Sequence, residues 1–210
     1  LRKPLIPAQV GCFLSHRRCW QALVASNDPA AIVFEDDAFL APDAEASLTD
    51  LSWLPRDAHF VRIETWRNRL VLDRRPVSRA GWREVFRLRG TTFGCAGYIV
   101  SRAGAQRALA GSDPLPNTAD DFLFNVAFAP ARTFVTYHLV PSPCIQGGRM
   151  TPALPQFESS IRAPGPQKPL PLLAKVGREI RRVFVSGPGR AWLVVSTLAR
   201  GRQWRIAEFG

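Results

Sequence analysis

Apolar residues recur at helical spacing near the start of the chain and then form a short continuous run. The repeat extends over residues 7–26, begins with a proline that suits a first helical turn, and is broken by Asn27-Asp28-Pro29. It predicts a helix. The next five residues, Ala30 to Phe34, are all apolar, which is typical of a strand buried on both faces. Three acids, Glu35-Asp36-Asp37, follow directly, so we expect them at the carboxyl end of this strand.

Helical and strand patterns alternate over the following hundred residues. Helices are predicted over residues 44–53, 102–110 and 119–128, the second of them capped by Ser101. Strands are predicted over residues 59–63, 70–72, 85–88, 97–100 and 133–137, with 70–72 and 85–88 forming a hairpin. This alternation indicates an α/β fold in which a mixed sheet is flanked by helices.

The organisation changes after about residue 140, where proline becomes frequent. Eight of the eighteen prolines fall between residues 141 and 171. The pattern predicts a folded domain over residues 1–150, a Pro-rich linker over 151–171 and a basic helical tail over 172–210. Within the tail, residues 172–185 form an amphipathic basic pattern and 191–199 a short apolar one. Such a helix either attaches to an anionic membrane surface or packs against the domain.

The net charge of +11 is concentrated in the same tail. Residues 159–210 contain ten basic and two acidic residues, which leaves a small excess for the rest of the chain. Nucleic-acid binding is therefore the least favoured function class, because no base-reading module accompanies the charge. The four cysteines lack the dense spacing of disulfide scaffolds, which favours reduced thiols in a cytoplasmic protein. Cys12 and Cys19 share one helical face, so both are expected to pack against the domain.

The three acids carry the clearest chemistry. Adjacent carboxylates suit a hard divalent cation such as Mn²⁺ or Mg²⁺, which shares its oxygen ligands with substrate phosphates. In open α/β sheets, ligands bind beyond the carboxyl ends of the strands. A solvated acidic turn is the alternative interpretation of Glu35-Asp36-Asp37.

Three further motifs each allow a functional and a structural interpretation. His16, after Ser15, is either a base or ligand, or a packed histidine. Asp120 and Asp121 open a predicted helix, where acids either complement the helix dipole or supply a general base. The small residues before and at Gly97-Tyr98 suit either close approach of a cofactor or tight packing.

Together these motifs resemble glycosyltransferase family 25, the bacterial lipooligosaccharide galactosyltransferases and their collagen-modifying relatives. The resemblance covers roughly residues 9–146, and four blocks match in order. They are Gly11-Cys12-Phe13-Leu14-Ser15-His16 with Trp20, Ala31 through Glu35-Asp36-Asp37, Gly97 through Ala105, and Pro116 through Asp120-Asp121-Phe122-Leu123.

The resemblance implies a GT-A-like fold and inverting transfer of a hexose, typically galactose from a UDP-sugar, with Mn²⁺ or Mg²⁺ as cofactor. It implies that Glu35, Asp36 and Asp37 bind the sugar nucleotide, with Asp37 and Glu35 on the metal. Gly97 and Tyr98 join that cofactor-binding set. Asp120 is the first choice for the catalytic base and Asp121 the second, and the Ser15-His16 pair belongs to the first block.

The resemblance also leaves two hypotheses about whether the chain is catalytically active. Relatives begin with a strand-helix unit ahead of the first block, whereas ten residues precede Gly11 here, so part of the nucleotide-binding unit is expected to be missing. The leading hypothesis is a metal-dependent hexosyltransferase acting on a cell-envelope saccharide, cytoplasmic and peripheral at the inner face of the membrane. The alternative is a non-catalytic remnant that binds saccharide or associates with the membrane.

Overall fold

The computed structural model of the protein describes residues 4–150 and 201–210. The helices are α1 (Pro7–Ala25), α2 (Glu45–Leu48), α3 (Arg102–Ala110), α4 (Ala119–Phe124) and α5 (Ala129–Thr133), and a 3-10 turn spans Gly147–Arg149. The strands are β1 (Ala30–Phe34), β2 (Ala38–Leu40), β3 (Phe60–Arg62), β4 (Glu64–Thr65), β5 (Arg69–Asp73), β6 (Ser78–Ala80), β7 (Arg83–Arg87), β8 (Gly97–Ser101), β9 (Thr136–Val140), β10 (Cys144–Gln146) and β11 (Arg202–Ile206).

Six of these strands form the main sheet, in the order β1-β8-β3-β9-β7-β6. β3 and β9 run parallel, and the other neighbours in this sheet are antiparallel. A three-stranded sheet, β2-β10-β4, and a two-stranded sheet, β11-β5, complete the strand pairings. The predicted α/β class, with a mixed sheet flanked by helices, is therefore confirmed.

The two faces of the main sheet bury separate apolar clusters because side chains alternate along each strand. Phe60 and Tyr98 point to the face covered by α1, α3 and α4, where they meet Phe13, Trp20 and Phe122 in an aromatic cluster. The alternate positions, which include Val61 and Ile99, pack on the opposite face with the segment after α2. The candidate site lies on the side of the aromatic cluster.

Helix α1 carries part of that site on its buried face. Pro7 occupies the first turn, and the buried positions Phe13, His16, Trp20 and Leu23 repeat at helical spacing. Ser26 ends the helix, and its hydroxyl donates to the carbonyl of Leu23 at 3.0 Å. The helix predicted over residues 7–26 is confirmed. Cys19, in the same helix, is exposed. The expectation that both Cys12 and Cys19 pack against the domain is therefore wrong for Cys19.

Strand β1 has the predicted bounds but a different environment. Among the described strands it pairs with β8 alone, at the edge of the main sheet, so Val33 is its buried residue while Phe34 is 40% exposed. The prediction that it is buried on both faces is wrong. A continuous apolar run does not separate a central strand from an edge strand that a helix covers on one face. The acids still follow its carboxyl end.

Two predicted helices are shorter than expected because side chains compete for the backbone. The helix predicted over 44–53 ends after Leu48, and the Asp50 carboxylate then accepts from the backbone N–H of Ser52 at 2.8 Å. The helix predicted over 119–128 ends at Phe124, because the Asn125 side chain accepts from the N–H of Ala127 at 3.0 Å. Helix α3 has the predicted bounds, and Ser101 accepts from the N–H of Gly104 as its cap.

The predicted hairpin between residues 70–72 and 85–88 is wrong. The two strands touch through one isolated bridge, Leu72 to Leu88, while β5 pairs along its length with β11. The strand predicted over 133–137 begins later, at Thr136, because Thr133 ends helix α5.

The last residues of the predicted helical tail form strand β11, because their backbone pairs with β5. The segments 172–185 and 191–199, predicted as helices, lie outside the described residues, as do residues 151–171 of the predicted linker. In the part of the chain that the structure describes, no helix is long and apolar enough to cross a bilayer.

Candidate active site

The acid run Glu35-Asp36-Asp37 forms a tight turn between β1 and β2. The turn is closed by the N–H of Ala38, which donates to the carbonyl of Glu35 at 3.2 Å. The backbone of Glu35 is also fixed, since its N–H donates to the carbonyl of Ala96 at 3.0 Å. Asp36 is exposed, whereas Glu35 and Asp37 are half-buried. The turn therefore sends neighbouring carboxylates into different surroundings.

Glu35 points toward α1 and the loop before β8. Its Oε1 lies 3.1 Å from His16 Nε2, accepts from the Cys95 thiol at 3.1 Å, and lies 3.7 Å from the Cys12 Sγ. Cys95 Sγ is 3.4 Å from His16 Nε2. We call Cys12, His16, Glu35 and Cys95 the Glu35 cluster; their four ligand-type atoms lie within 4.8 Å of one another.

A second layer of hydrogen bonds orients His16. Its Nδ1 lies 2.9 Å from the Tyr98 hydroxyl, which also accepts from the indole N–H of Trp20 at 3.0 Å. His16 is 4% exposed and Tyr98 is fully buried. Because the contact between Nδ1 and the Tyr98 hydroxyl fixes the orientation of the imidazole ring, Nε2 is held toward Glu35 and Cys95.

The charges within the Glu35 cluster support one another. The hydrogen bond from Cys95 lowers the pKa of Cys12 to about 6, against the opposing effect of burial, and His16 adds to the lowering. Burial alone would lower the pKa of His16, but hydrogen bonds with Cys12 and Glu35 raise it to about 9. Burial would raise the pKa of Glu35, yet hydrogen bonds from His16 and Cys95 bring it below its usual value. At neutral pH these shifts favour the ionised forms of Cys12, His16 and Glu35. The hydrogen bond with Cys12 and burial instead raise the pKa of Cys95 well above its usual value, so that thiol keeps its proton.

Asp37 faces the other way, toward β10 and the 3-10 turn. Its backbone carbonyl accepts from the N–H of Gly147 at 2.8 Å, and Ala38 pairs with Gln146 across the small sheet. The Oδ1 atom of its side chain is buried with no hydrogen-bond partner in the described part of the chain. Burial raises the pKa of Asp37 despite a hydrogen bond with Gln146, and the charges of Glu35 and Asp36 add to the rise.

The loop before β8, which contacts Glu35, is held by a buried ion pair. Glu64 is fully buried, accepts from the N–H of Ala96 at 2.9 Å and from the indole of Trp66 at 2.6 Å, and lies 3.4 Å from Arg62. Burial raises the pKa of Glu64 to about 7, against the opposing charge of Arg62. Gly94 lies against this ion pair and has a φ of +85°. A Cβ at this position would lie 2.6 Å from Glu64 Oε1, so glycine suits both the backbone conformation and the space.

Asp120 reaches this loop from helix α4. Its Oδ2 accepts from the N–H of Gly94 at 3.4 Å, and its Oδ1 accepts from the Thr118 hydroxyl at 2.6 Å and from the N–H of Asp121 at 2.9 Å. Asp121 instead accepts from the Asn125 side chain at 2.7 Å. The structure thus brings Asp120, and not Asp121, to the loop that contacts Glu35.

The remaining predicted residues lie around the site in different ways. Ser15 is exposed, and its hydroxyl donates to the Gly11 carbonyl within helix α1. Gly97 packs against Cys144, whose Sγ would lie 2.7 Å from an added Cβ. Gly97 and Tyr98 are both buried and lie behind the residues of the site. Their direct contact with the sugar-nucleotide donor stays a prediction.

Sequence reasoning missed Cys12, Cys95, Glu64 and Arg62. The signal for Cys12 was present, because it precedes His16 by four residues and so shares its helical face. Cys95 and the Arg62–Glu64 pair are brought to the site by the sheet, and no local spacing indicates them.

Comparison with known proteins matches residues 1–123 to the family model described as glycosyltransferase family 25 (LPS biosynthesis protein). The chain belongs to glycosyltransferase family 25. The matched range contains all four sequence blocks and ends just beyond Asp120 and Asp121.

Several relatives of this family member are lipooligosaccharide proteins. Lipooligosaccharide biosynthesis protein lic2B of Haemophilus influenzae is 25% identical over 209 residues, 95% of this chain and 76% of the relative. Lipooligosaccharide biosynthesis protein lex-1 of the same species is 28% identical over 68% of this chain and 50% of the relative. Lacto-N-neotetraose biosynthesis glycosyltransferase LgtE of Neisseria meningitidis is 29% identical over 68% of this chain and 54% of the relative.

Proposed function

We propose that this family 25 chain transfers a hexose, galactose in the first place, from a UDP-sugar to a lipooligosaccharide or lipopolysaccharide acceptor. The reaction inverts the anomeric centre, in a GT-A-like site that uses Mn²⁺ or Mg²⁺. The observation that carries the proposal is the pair of acids Asp37 and Asp120, which lie on separate elements. Asp37, in the turn after β1, has a buried oxygen without a hydrogen-bond partner among the described residues, and Asp120 is held beside Gly94 in the loop before β8. Family membership and the names of the relatives support the reaction class and the acceptor.

The residues around Asp37 fit a hard divalent cation. A buried carboxylate oxygen without a hydrogen-bond partner is costly unless a cation satisfies it, and Mg²⁺ and Mn²⁺ prefer oxygen ligands. Asp37 would hold the metal, with exposed Asp36 beside it. Of the two acids predicted on the metal, Glu35 has its Oε1 already engaged by His16 and Cys95. When bound, the cation would neutralise charge on the departing diphosphate.

Asp120 is the proposed general base. In an inverting displacement a carboxylate takes the proton from the acceptor hydroxyl as that oxygen attacks the sugar. Three hydrogen bonds from Thr118, Asp121 and Gly94 fix the Asp120 carboxylate, so its orientation does not depend on substrate. Asp121 is turned toward Asn125, which makes it the matched comparison.

The test is transfer by the purified full chain. Radiolabelled UDP-galactose and a deacylated lipooligosaccharide core are incubated with Mn²⁺ or with EDTA, and the product anomer is read by NMR. We expect Mn²⁺-dependent transfer with inversion, a loss of at least about a hundredfold in Asp120→Asn, and a far smaller loss in Asp121→Asn. Equal activity in EDTA would reject the metal role, and equal loss in the two variants would reject the assigned base.

The alternative function, saccharide binding without catalysis, has a distinct outcome in the same system. No labelled product would then form, and calorimetry would show no Mn²⁺-dependent binding of UDP, whereas measurable metal-dependent UDP binding would exclude this alternative. Peripheral attachment to an anionic membrane through residues 172–185, and hence a cytoplasmic location at the membrane, stays a prediction. Liposome co-sedimentation of the whole chain, compared with a chain lacking 172–185, is its measurement.

A further inference from the structure

We propose that the Glu35 cluster is a binding site for a soft divalent cation, Zn²⁺ in the first place, separate from the hard-cation site at Asp37. Two sulfurs, one imidazole nitrogen and one carboxylate oxygen converge there from helix α1, the end of β1 and the loop before β8. Thiolate and imidazole ligands select zinc over magnesium or manganese. The sulfur and nitrogen donors of this cluster differ in kind from the carboxylate oxygens at Asp37.

The distances between ligand atoms fit a tetrahedral metal. Zinc binds sulfur at about 2.3 Å and nitrogen or oxygen at about 2.0–2.2 Å, so the edges of the tetrahedron measure about 3.3–3.8 Å. The measured separations from Glu35 Oε1 are 3.1 Å to His16 Nε2, 3.1 Å to Cys95 Sγ and 3.7 Å to Cys12 Sγ. Cys95 Sγ lies 3.4 Å from His16 Nε2. Small outward shifts of the side chains would accommodate the ion.

The surroundings supply the second layer that such a site needs. A metal-binding histidine usually donates its other ring N–H to an oxygen, which fixes the tautomer. Here His16 Nδ1 lies 2.9 Å from the Tyr98 hydroxyl oxygen, which the indole of Trp20 holds from the other side. The tautomer with hydrogen on Nδ1 leaves Nε2 free to bind the ion. Binding displaces to solvent the Nε2 proton of the His16 imidazolium and the proton of the Cys95 thiol.

Burial argues against a merely solvated group of thiols. Cys95 is 5% exposed and His16 is 4% exposed, and the backbone N–H of Glu35 is anchored to Ala96. Cys19 lies two turns along the same helix from Cys12, yet it is exposed and outside the cluster. The chain therefore offers its own matched control: one cysteine of α1 in the proposed site and one outside it.

The experiment uses Co²⁺ as a spectroscopic probe for the zinc site. The full chain is stripped of metal with EDTA, kept reduced with a phosphine, and titrated with Co²⁺ and then with Zn²⁺. We expect one equivalent of Co²⁺ to produce thiolate-to-cobalt charge transfer and the visible bands of tetrahedral cobalt. One equivalent of Zn²⁺ should abolish both, whereas excess Mn²⁺ should leave them unchanged. The wild-type titration needs no variant and does not depend on transferase activity.

Variants locate the site. At saturating Co²⁺, Cys12→Ser and Cys95→Ser should each lose about half of the charge-transfer intensity, because one of the two thiolates remains, and the double variant should lose the band. Each single variant should weaken Co²⁺ binding at least about a hundredfold, and Tyr98→Phe should weaken it about 10- to 100-fold. Cys19→Ser should match the wild type, with circular dichroism checking the fold of each variant. Absence of thiolate bands in the folded wild type, or bands at full wild-type intensity in both Cys12→Ser and Cys95→Ser, would overturn the proposal. Because the readout is the cobalt spectrum, a chain inactive in transfer could still pass this test.

Discussion

Glu35 and Asp37 stand two residues apart in one turn, yet their carboxylates have opposite environments. Glu35 accepts hydrogen bonds from His16 and Cys95, which hold its pKa below the usual value. Asp37 keeps a buried oxygen that has no hydrogen-bond partner within residues 4–150 and 201–210, and burial raises the pKa of Asp37. The protein itself satisfies the Glu35 carboxylate, whereas the Asp37 carboxylate keeps an oxygen available for the proposed cation.

The difference arises from the turn. In a continuing strand, residues two apart would point to the same face. Here the chain reverses after Phe34, and the bond from Ala38 to the Glu35 carbonyl closes the reversal, so the two side chains diverge. A run of acids after a strand therefore does not indicate which of its carboxylates the protein satisfies and which it leaves available for the proposed cation.

The largest expected effect is on catalysis at Asp37. Asp37→Asn keeps the size of the side chain but removes the charge that would bind Mn²⁺, so we expect kcat/KM for transfer to fall at least about a hundredfold. Asp28→Asn, at the opposite end of β1, is the matched control and should keep wild-type activity. Steady-state assays with Mn²⁺ measure both. Activity of Asp37→Asn within twofold of the wild type would contradict the assignment.

The next effect is on the stability of the metal-free protein. Glu35→Gln removes the charge that His16 and Cys95 contact in a partly buried site, and we expect the free energy of unfolding to fall by about 1–3 kcal/mol. Urea unfolding in EDTA measures it. Asp37→Asn should not lose stability in the same assay, because it removes a charge that burial disfavours. If both variants lose stability equally, the two acids do not differ as described.

The pH dependence should separate the two acids more finely. The lowered pKa of Glu35 stabilises the fold above the ordinary carboxyl range, and this contribution is lost as pH falls through the lowered pKa. The raised pKa of Asp37 works in the opposite sense: its ionisation costs stability as pH rises from about 4. At pH 7 in EDTA, Glu35→Gln should therefore be less stable than wild type and Asp37→Asn more stable.

Once the pH has fallen through the lowered pKa of Glu35, both wild-type carboxyls are neutral and the two curves should converge on the wild type. Urea midpoints over a series of pH values from 7 downward are the measurement. A shift of both variants in the same direction at pH 7 would show that one environment governs the whole turn.

The smallest effect is expected at Ser15, which belongs to the same sequence block as His16. Its exposed hydroxyl bonds to the carbonyl one turn earlier, so Ser15→Ala should change the free energy of unfolding by no more than about 0.5 kcal/mol. Thermal unfolding alongside His16→Gln makes the comparison. A loss at Ser15 as large as that at His16 would mean that the block acts as a unit.

Local signals account for what could be predicted. Helix α1, strand β1 and helix α3 follow from apolar spacing, breakers and a serine cap, all within a few residues of the element. The acids at the strand end and Asp120 at the start of α4 were placed in the same way. The shortened helices show where this approach fails, since Asp50 and Asn125 redirect the backbone through single side-chain hydrogen bonds.

Contacts between distant residues account for what could not be predicted. Cys95 reaches His16 because β8 pairs with β1 and places its preceding loop over α1, a relation that spans 79 residues. β11 pairs with β5 across an even longer separation. No periodicity in either segment encodes the partner, so the Glu35 cluster and the last strand emerge only from the fold.

The pairing of β11 with β5 affects the tendency of the protein to self-associate. β11 covers the edge of β5, and an uncovered edge strand offers its free N–H and C=O groups to other chains. Residues 201–210 are also bound to the body through Ser142, whose N–H donates to the Glu208 carbonyl at 2.8 Å. A chain shortened at residue 150 would keep all four blocks of the family and the candidate site, but it would leave this edge open to self-association.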